Sequence, residues 1–190
     1  MHHYGTTAFE TERLICRRFE KCDAEDMYRN WASDPMVQAG YGEPVYSSME
    51  AAMALAAGYV AGYQNPDFYR WAIIEKQSGE NIGQIAFCRV YAESETAEIE
   101  YCIGRKYWGN GYAGEALEGL IDHTFANIGF RKLEAFHRAE NIKSGKVLAR
   151  SSMHRTDMIE RFADSAEVPE GEVCYCILKG EYQKRECTDF

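Results

Sequence analysis

The stretch Trp108-Gly109-Asn110-Gly111-Tyr112-Ala113-Gly114-Glu115-Ala116 constrains this chain most, because it sets glycines between a strand-like run and a helix start. Upstream, residues 96–103 alternate as a strand does. Downstream, Ala113, Ala116, Leu117, Leu120, Ile121, Thr124 and Phe125 keep the i, i+3, i+4 spacing of a helix over 112–128, with Gly129 placed as its left-handed terminator. The first N–H groups of a helix have no intrahelical partners and sit at the positive end of its dipole. A glycine turn at that point is a cradle for an anion, phosphate above all. Side chains there would hold phosphate oxygens away from the backbone donors.

The surrounding pattern says what kind of fold carries the cradle. Residues 133–137 read as a strand, so 96–103, 112–128 and 133–137 make one βαβ unit with a parallel strand pair. Before it, 14–18 reads as a strand. Asp23-Ala24-Glu25-Asp26 opens a helix to about Ala32, with Met27 and Trp31 on its apolar side. Ser47-Ser48-Met49-Glu50 is a capping box ahead of an alanine-rich helix over 51–63. Runs 70–75 and 82–88, joined by the turn-forming 76–81, make an antiparallel meander with 96–103. A helix over 144–150 and strands near 153–155 and 173–178 complete a single domain over 1–190. The fold class expected is α+β (α/β in its βαβ unit), with a mixed, mostly antiparallel central sheet of six to seven strands flanked by helices.

The same glycines satisfy Gly109-x-Gly111-x-x-Gly114, the dinucleotide fingerprint, and Glu134 falls 20 residues past Gly114, where a ribose-binding acid belongs. In a dinucleotide fold, however, the glycines follow the first strand of a run of parallel βαβ units. Here antiparallel strands precede them, and Glu134 lies inside its strand. An NAD(P)-dependent enzyme is therefore the lesser reading.

The run Ala97-Glu98-Ile99-Glu100-Tyr101-Cys102-Ile103-Gly104-Arg105-Lys106-Tyr107, continued through the glycine stretch to Leu117, resembles the acetyl-CoA signature of the GNAT N-acetyltransferases, and in particular the RimJ/RimL-type branch. Thr11-Glu12-Arg13-Leu14-Ile15-Cys16-Arg17-Arg18-Phe19 and Asn141-Ile142-Lys143-Ser144 resemble the same branch. The resemblance implies the GNAT fold, acetyl-CoA as co-substrate, no metal, and acetyl transfer to a primary amine by direct attack on the thioester. A non-catalytic acetyl-CoA-binding relative is the alternative. It further implies that the backbone of Trp108, Gly109, Asn110, Gly111, Tyr112, Ala113 and Gly114 holds the pyrophosphate. By the same resemblance strand 96–103 splays from 133–137, the pantetheine arm lies against Ile103, and Asn141 bonds it. Trp108 stands where the superfamily has Gln or Arg, a change that costs little when the donors are backbone groups.

Acyl transfer to an amine needs a neutral amine, a polarised carbonyl and a proton for the departing thiolate. Glu98 and Glu100 stand two apart on a strand and point to one face, where each disturbs the other's ionisation. Glu98 occupies a position where this branch commonly has glutamate and is the expected base, acting through water. Glu100 stands where the family often has glycine and is expected on the acceptor side. A solvated strand face explains both equally well. Many superfamily members use a tyrosine acid at the position that is Leu148 here. Ser144 is the remaining donor for the sulfur, and a helix N-cap reading fits it as well. Ser152 replaces the branch's usual glycine before the next strand. The resemblance brings the acceptor in beside Tyr41, Glu43 and Tyr46, with Asp164, Glu167 and Glu170 on a second loop, and Tyr41 is taken as a substrate contact.

The net charge of -9 and the absence of a Lys/Arg cluster denser than Arg131-Lys132 or Lys184-Arg185 argue against a nucleic-acid footprint and suit a cationic acceptor. No apolar run has membrane-spanning length, and residues 1–9 lack the features of a signal segment, so a cytoplasmic protein is expected, with no membrane partner. The 7 cysteines form no C-x-x-C pair and offer no zinc or redox motif. The partner expected is a small-molecule amine, an amino acid or a peptide N-terminus, with the chain a monomer or homodimer.

Overall fold

The computed structural model describes residues 5–162 and 170–186. Their elements fall into two units, His2–Phe87 with Glu100–Gly119, and Cys88–Ile99 with Leu120–Phe190. Eight strands form among the described residues, against six to seven expected. The first of them is only two residues long, too short to register as alternation.

In the first unit, β1 (Phe9–Glu10), β2 (Leu14–Arg17), β3 (Arg70–Glu75) and the start of β4 (Asn81–Tyr91) are antiparallel in that order. The end of β5 (Thr96–Ile103) follows β4. The helix foreseen to Ala32 is α1 (Ala24–Met27) continued by a π-helical turn, Tyr28–Ala32, and it buries Met27 and Trp31 as its pattern requires. Helix α2 (Pro35–Tyr41) was absent from the sequence reading. Asp34 caps it, accepting from Met36 N at 2.9 Å, and Pro35 and Gly42 (φ 86°) bound it. Helix α3 (Met49–Gly62) starts two residues before the expected 51 and is capped by Ser48 in place of Ser47, with Ala51 N donating to Ser48 Oγ at 3.2 Å, so Glu50 does not stand at the capping-box position. Its Ala52 and Ala56 are buried. The core closes tightly at Gly83, where a Cβ would lie 2.2 Å from the Cys102 carbonyl oxygen.

In the second unit the remainder of β5 pairs in parallel with β6 (Lys132–Arg138). That ladder has three pairs, Thr96↔Lys132, Ala97↔Leu133 and Glu98↔Glu134. Helix α4 (Tyr112–His123), whose first turns belong to the first unit, buries the apolar stripe read from the sequence. Its foreseen end at 128 is instead a π-helical turn, Thr124–Ile128. There Thr124 Oγ1 donates to Leu120 O at 2.6 Å, a back-bond that disturbs regular winding, and Gly129 (φ 98°) ends it. After α5 (Ile142–Leu148) come β7 (His154–Thr156) and β8 (Glu172–Leu178), with β8 antiparallel to both β6 and β7. Serine at 152 does not prevent this. Ser151 Oγ accepts from Met153 N at 3.2 Å and forms the turn. Helix α6 (Lys179–Glu186) was also unforeseen, since its charged sequence carries no apolar stripe. No helix among the described residues is long and apolar enough to cross a membrane.

Candidate active site

The glycine segment is shaped as an anion cradle. A 3-10 turn, Arg105–Tyr107, leads into it from β5. Trp108 Nε1 then donates to Ile103 O at 2.7 Å, so the residue that departs from the superfamily's polar position ties the loop to the strand end. Gly109 (φ 82°) and Gly111 (φ 83°) are left-handed, a conformation that costs a side chain roughly 1–2 kcal/mol. The first amide to find a carbonyl is Glu115 N, on Gly111 O at 3.0 Å. None of the preceding amides, from Gly109 to Gly114, donates to a protein acceptor among the described residues. Such a row of unpaired donors at the start of α4 fits a phosphate group. A Cβ on Gly109 or Gly114 would meet nothing within 4 Å.

Residues that sequence reasoning passed over fasten this loop. Thr11 Oγ1 donates to Glu115 Oε1 at 2.6 Å and Arg13 N to the same oxygen at 2.7 Å. Arg13 Nε reaches Glu115 Oε2 at 2.6 Å, and Arg13 Nη1 donates to Asn110 O at 2.9 Å. Tyr112 donates to Glu75, and Tyr107 to Glu80. Burial works to raise the Glu115 pKa, but the bonds from Thr11 and Arg13 outweigh it and bring it below 4.5. The segment 11–13 was legible only as part of a resemblance, because nothing in its spacing points to a helix so far along the chain.

The acceptor-side pair is brought together in the first unit. Tyr41 Oη donates to Glu100 Oε1 at 2.6 Å, and Arg70 Nη2 reaches that oxygen at 2.7 Å. Arg70 is the missed partner. Its Nη1 also donates to Gln84 Oε1 at 2.5 Å, and its guanidinium covers the Tyr59 ring at 4.6 Å. Tyr46 is half-buried and Glu43 exposed.

The second unit holds the other candidates. Glu98 is wholly enclosed, with Arg89 Nη1 at 2.9 Å, Cys88 Sγ at 3.4 Å and Tyr91 Oη at 3.5 Å. Each of the two glutamates on β5 thus has its own arginine, Arg89 for Glu98 and Arg70 for Glu100. Asn141 is the N-cap of α5, its Oδ1 accepting from Ser144 N at 3.2 Å. Ser144 is therefore inside the first turn and is not the cap. Leu148 is buried. Glu134 is wholly buried in β6, held by Lys132 Nζ at 2.5 Å and by Glu160 N at 2.9 Å, where no ribose reaches it. Asp164 and Glu167 lie outside the described residues, and Glu170 is exposed.

Comparison with known proteins agrees with this geometry. The profile of the acetyltransferase (GNAT) domain matches residues 13–154. The chain belongs to the GNAT acetyltransferase family and is an acyltransferase of the kind that draws on acetyl-CoA. The uncharacterised N-acetyltransferase p20 of Bacillus licheniformis is 30% identical over 172 residues, spanning 90% of this chain and 96% of that protein. A GNAT-family acetyltransferase structure from Bacillus anthracis matches with a TM-score of 0.73 at 24% identity, covering 92% of this chain and 99% of that one. The ribosomal-protein-S5-alanine acetyltransferase from Vibrio fischeri has the same fold, with a TM-score of 0.72 at 18% identity over 91% of this chain and 97% of its own. The two solved structures show that this chain has their fold.

Proposed function

We propose that the chain, acting as one domain in the cytoplasm as a monomer or homodimer, transfers the acetyl group of acetyl-CoA to a primary amine of a small molecule, an amino acid or a peptide N-terminus. The observation that carries this reading is the run of unpaired amides at 109–114, which suits the pyrophosphate of the donor. Ile103 and Trp108 shape the approach to it, and Asn141 is assigned to the pantetheine. The amine nitrogen forms the new C–N bond as the thioester C–S bond breaks. Glu98 takes the amine proton through a relay of water, and Ser144 donates towards the departing sulfur. Glu100 and Tyr41 face the acceptor.

A second assignment of the base has a specific observation behind it. Glu98 is wholly enclosed, whereas the Glu100 side chain keeps 24% of its surface exposed and its Oε1 alone receives the bonds from Tyr41 and Arg70. Glu100 then meets the amine directly. The variants Glu98→Gln and Glu100→Gln separate the two, since only loss of the base abolishes the acid limb of the kcat/KM profile.

Free-thiol release from acetyl-CoA with a panel of amines, amino acids and short peptides tests the function as a whole. Acetyl-CoA at about 100 times its Kd should stabilise the fold by about 2.7 kcal/mol. Stabilisation without turnover of any acceptor would support the non-catalytic relative, and stabilisation by NADPH in place of acetyl-CoA would sink the reading.

A further inference from the structure

We propose that Arg13 keeps the phosphate cradle open to an anion by cancelling the charge that Glu115 brings to the first turn of α4. The inference rests on the acetyl-CoA reading and goes beyond it, to a residue that reading does not use.

A helix N-terminus attracts any anion, its own side chains included. A carboxylate in the first turn therefore competes with a bound phosphate and repels it through space. Glu115 is such a carboxylate, and its own backbone N–H is the first amide past the unpaired row. Left bare, it would turn its charge on the site.

Arg13 and Thr11 occupy both of its oxygens. Oε1 accepts from Thr11 Oγ1 at 2.6 Å and Arg13 N at 2.7 Å, while Oε2 accepts from Arg13 Nε at 2.6 Å with Nη2 also at 2.6 Å. This is a guanidinium fork on a carboxylate, a geometry that a lysine ammonium cannot reproduce. The remaining nitrogen, Nη1, bonds the Asn110 carbonyl, and the guanidinium stacks over the Tyr112 ring at 4.6 Å. Arg13 thereby engages the loop by a carbonyl and leaves its amides unengaged. Its Nη2 comes within 3.5 Å of where a Cβ of Gly111 would be, so the cation borders the cradle itself. The turn that presents it is pinned in its turn by Lys76, whose Nζ donates to Thr11 O at 2.7 Å.

Charge cancellation and simple bracing give opposite outcomes in a double variant. If Arg13 only braces the loop, removing Glu115 as well leaves the loop no better held. If Arg13 cancels a charge, removing Glu115 relieves the harm done by losing Arg13.

The experiment is calorimetric titration of acetyl-CoA, and of S-acetylpantetheine, which lacks the phosphates, into the wild type, Arg13→Met, Arg13→Lys, Glu115→Gln and Arg13→Met/Glu115→Gln, with melting curves for each. Arg13→Met should weaken acetyl-CoA by at least about tenfold, Arg13→Lys by less, and the double variant should recover to within about threefold of the wild type. Glu115→Gln alone should bind at least as tightly as the wild type, an arm that stands even if Arg13→Met fails to fold. S-acetylpantetheine should be indifferent to every substitution. Unchanged acetyl-CoA affinity in Arg13→Met, a double variant as weak as Arg13→Met, or weakened binding in Glu115→Gln would each overturn the inference. A wild type that does not bind acetyl-CoA would instead remove the reading on which it rests.

Discussion

Tyr41 Oη donates to Glu100 Oε1 at 2.6 Å, joining the end of α2 to the end of β5. Burial raises the Tyr41 pKa well above its ordinary value even though Arg70 opposes the shift, so the phenol stays a donor across the physiological range. Arg70 completes a three-way contact, with Nη2 on Glu100 at 2.7 Å and Nη1 on Tyr41 at 3.2 Å. Glu100→Ala takes the carboxylate from a mostly buried guanidinium and should cost about 3 kcal/mol. Tyr41→Phe removes one hydrogen bond and should cost about 1 kcal/mol. Urea unfolding of the two variants checks the ratio, and equal costs would show that Arg70 does not depend on Glu100.

The enclosed carboxylate offers a harsher test. Glu98 has no exposed surface, and Arg89, itself half exposed, is its charged partner. Arg89→Met leaves that carboxylate buried without a cation and should cost about 3 kcal/mol, whereas Glu98→Gln keeps an acceptor in place and should cost less. A thermal melt of Arg89→Met at pH 7 that matches the wild type would mean that Glu98 relies on Cys88 and Tyr91 alone.

Local chemistry was legible in the sequence, and distant chemistry was not. The stripe on α4, the serine cap of α3 and the left-handed glycines are each written within a few residues, and the structure has them in place, the cap at Ser48. Helix α2 was missed although Asp34-Pro35 announces it, because seven residues carry too little periodicity to stand out. Tyr41 and Glu100 were selected separately, but their contact spans 59 positions and depends on Arg70, which reads as an ordinary strand residue. Arg13 and Glu115, 102 positions apart, show the same limit. Side-chain partnership at such separations follows from strand order, which the alternation of one strand does not encode.

Acid unfolding should report the Arg13–Glu115 contact. The folded pKa of Glu115 lies below 4.5, because hydrogen bonds from Thr11 and Arg13 outweigh the opposing effect of burial. Protons then bind the unfolded chain more tightly, so this contribution is complete above pH 4.5 and is lost as the pH falls through the folded value. Glu134 has the opposite sign. Burial raises its pKa above 4.5 in spite of Lys132, so its contribution is fullest below pH 4.5 and is lost as the pH rises through the folded value. Melting temperatures measured from about pH 3 to pH 7 should therefore show the deficit of Glu115→Gln shrinking towards acid and that of Glu134→Gln shrinking towards neutral. Parallel curves for the two variants would contradict both assignments.

Two glycine substitutions separate the loop's binding role from the fold's need for close approach. At Gly83 a methyl would lie 2.2 Å from the Cys102 carbonyl oxygen, a backbone atom that cannot swing aside, and Gly83→Ala should lose about 3 kcal/mol of stability. At Gly114 a methyl meets nothing within 4 Å, and the residue lies in the first turn of α4. Alanine suits a helix better than glycine by up to about 1 kcal/mol, so Gly114→Ala should fold at least as stably as the wild type. If the phosphates approach this first turn, as the proposed function has them do, the added methyl holds their oxygens away from the backbone. Acetyl-CoA affinity should fall by about tenfold in a variant whose melting temperature has not dropped, a separation that titration and melting of one sample can record. Unchanged affinity in Gly114→Ala would mean that the phosphates do not approach this face of the helix start, and the cradle would then have to be confined to 109–113.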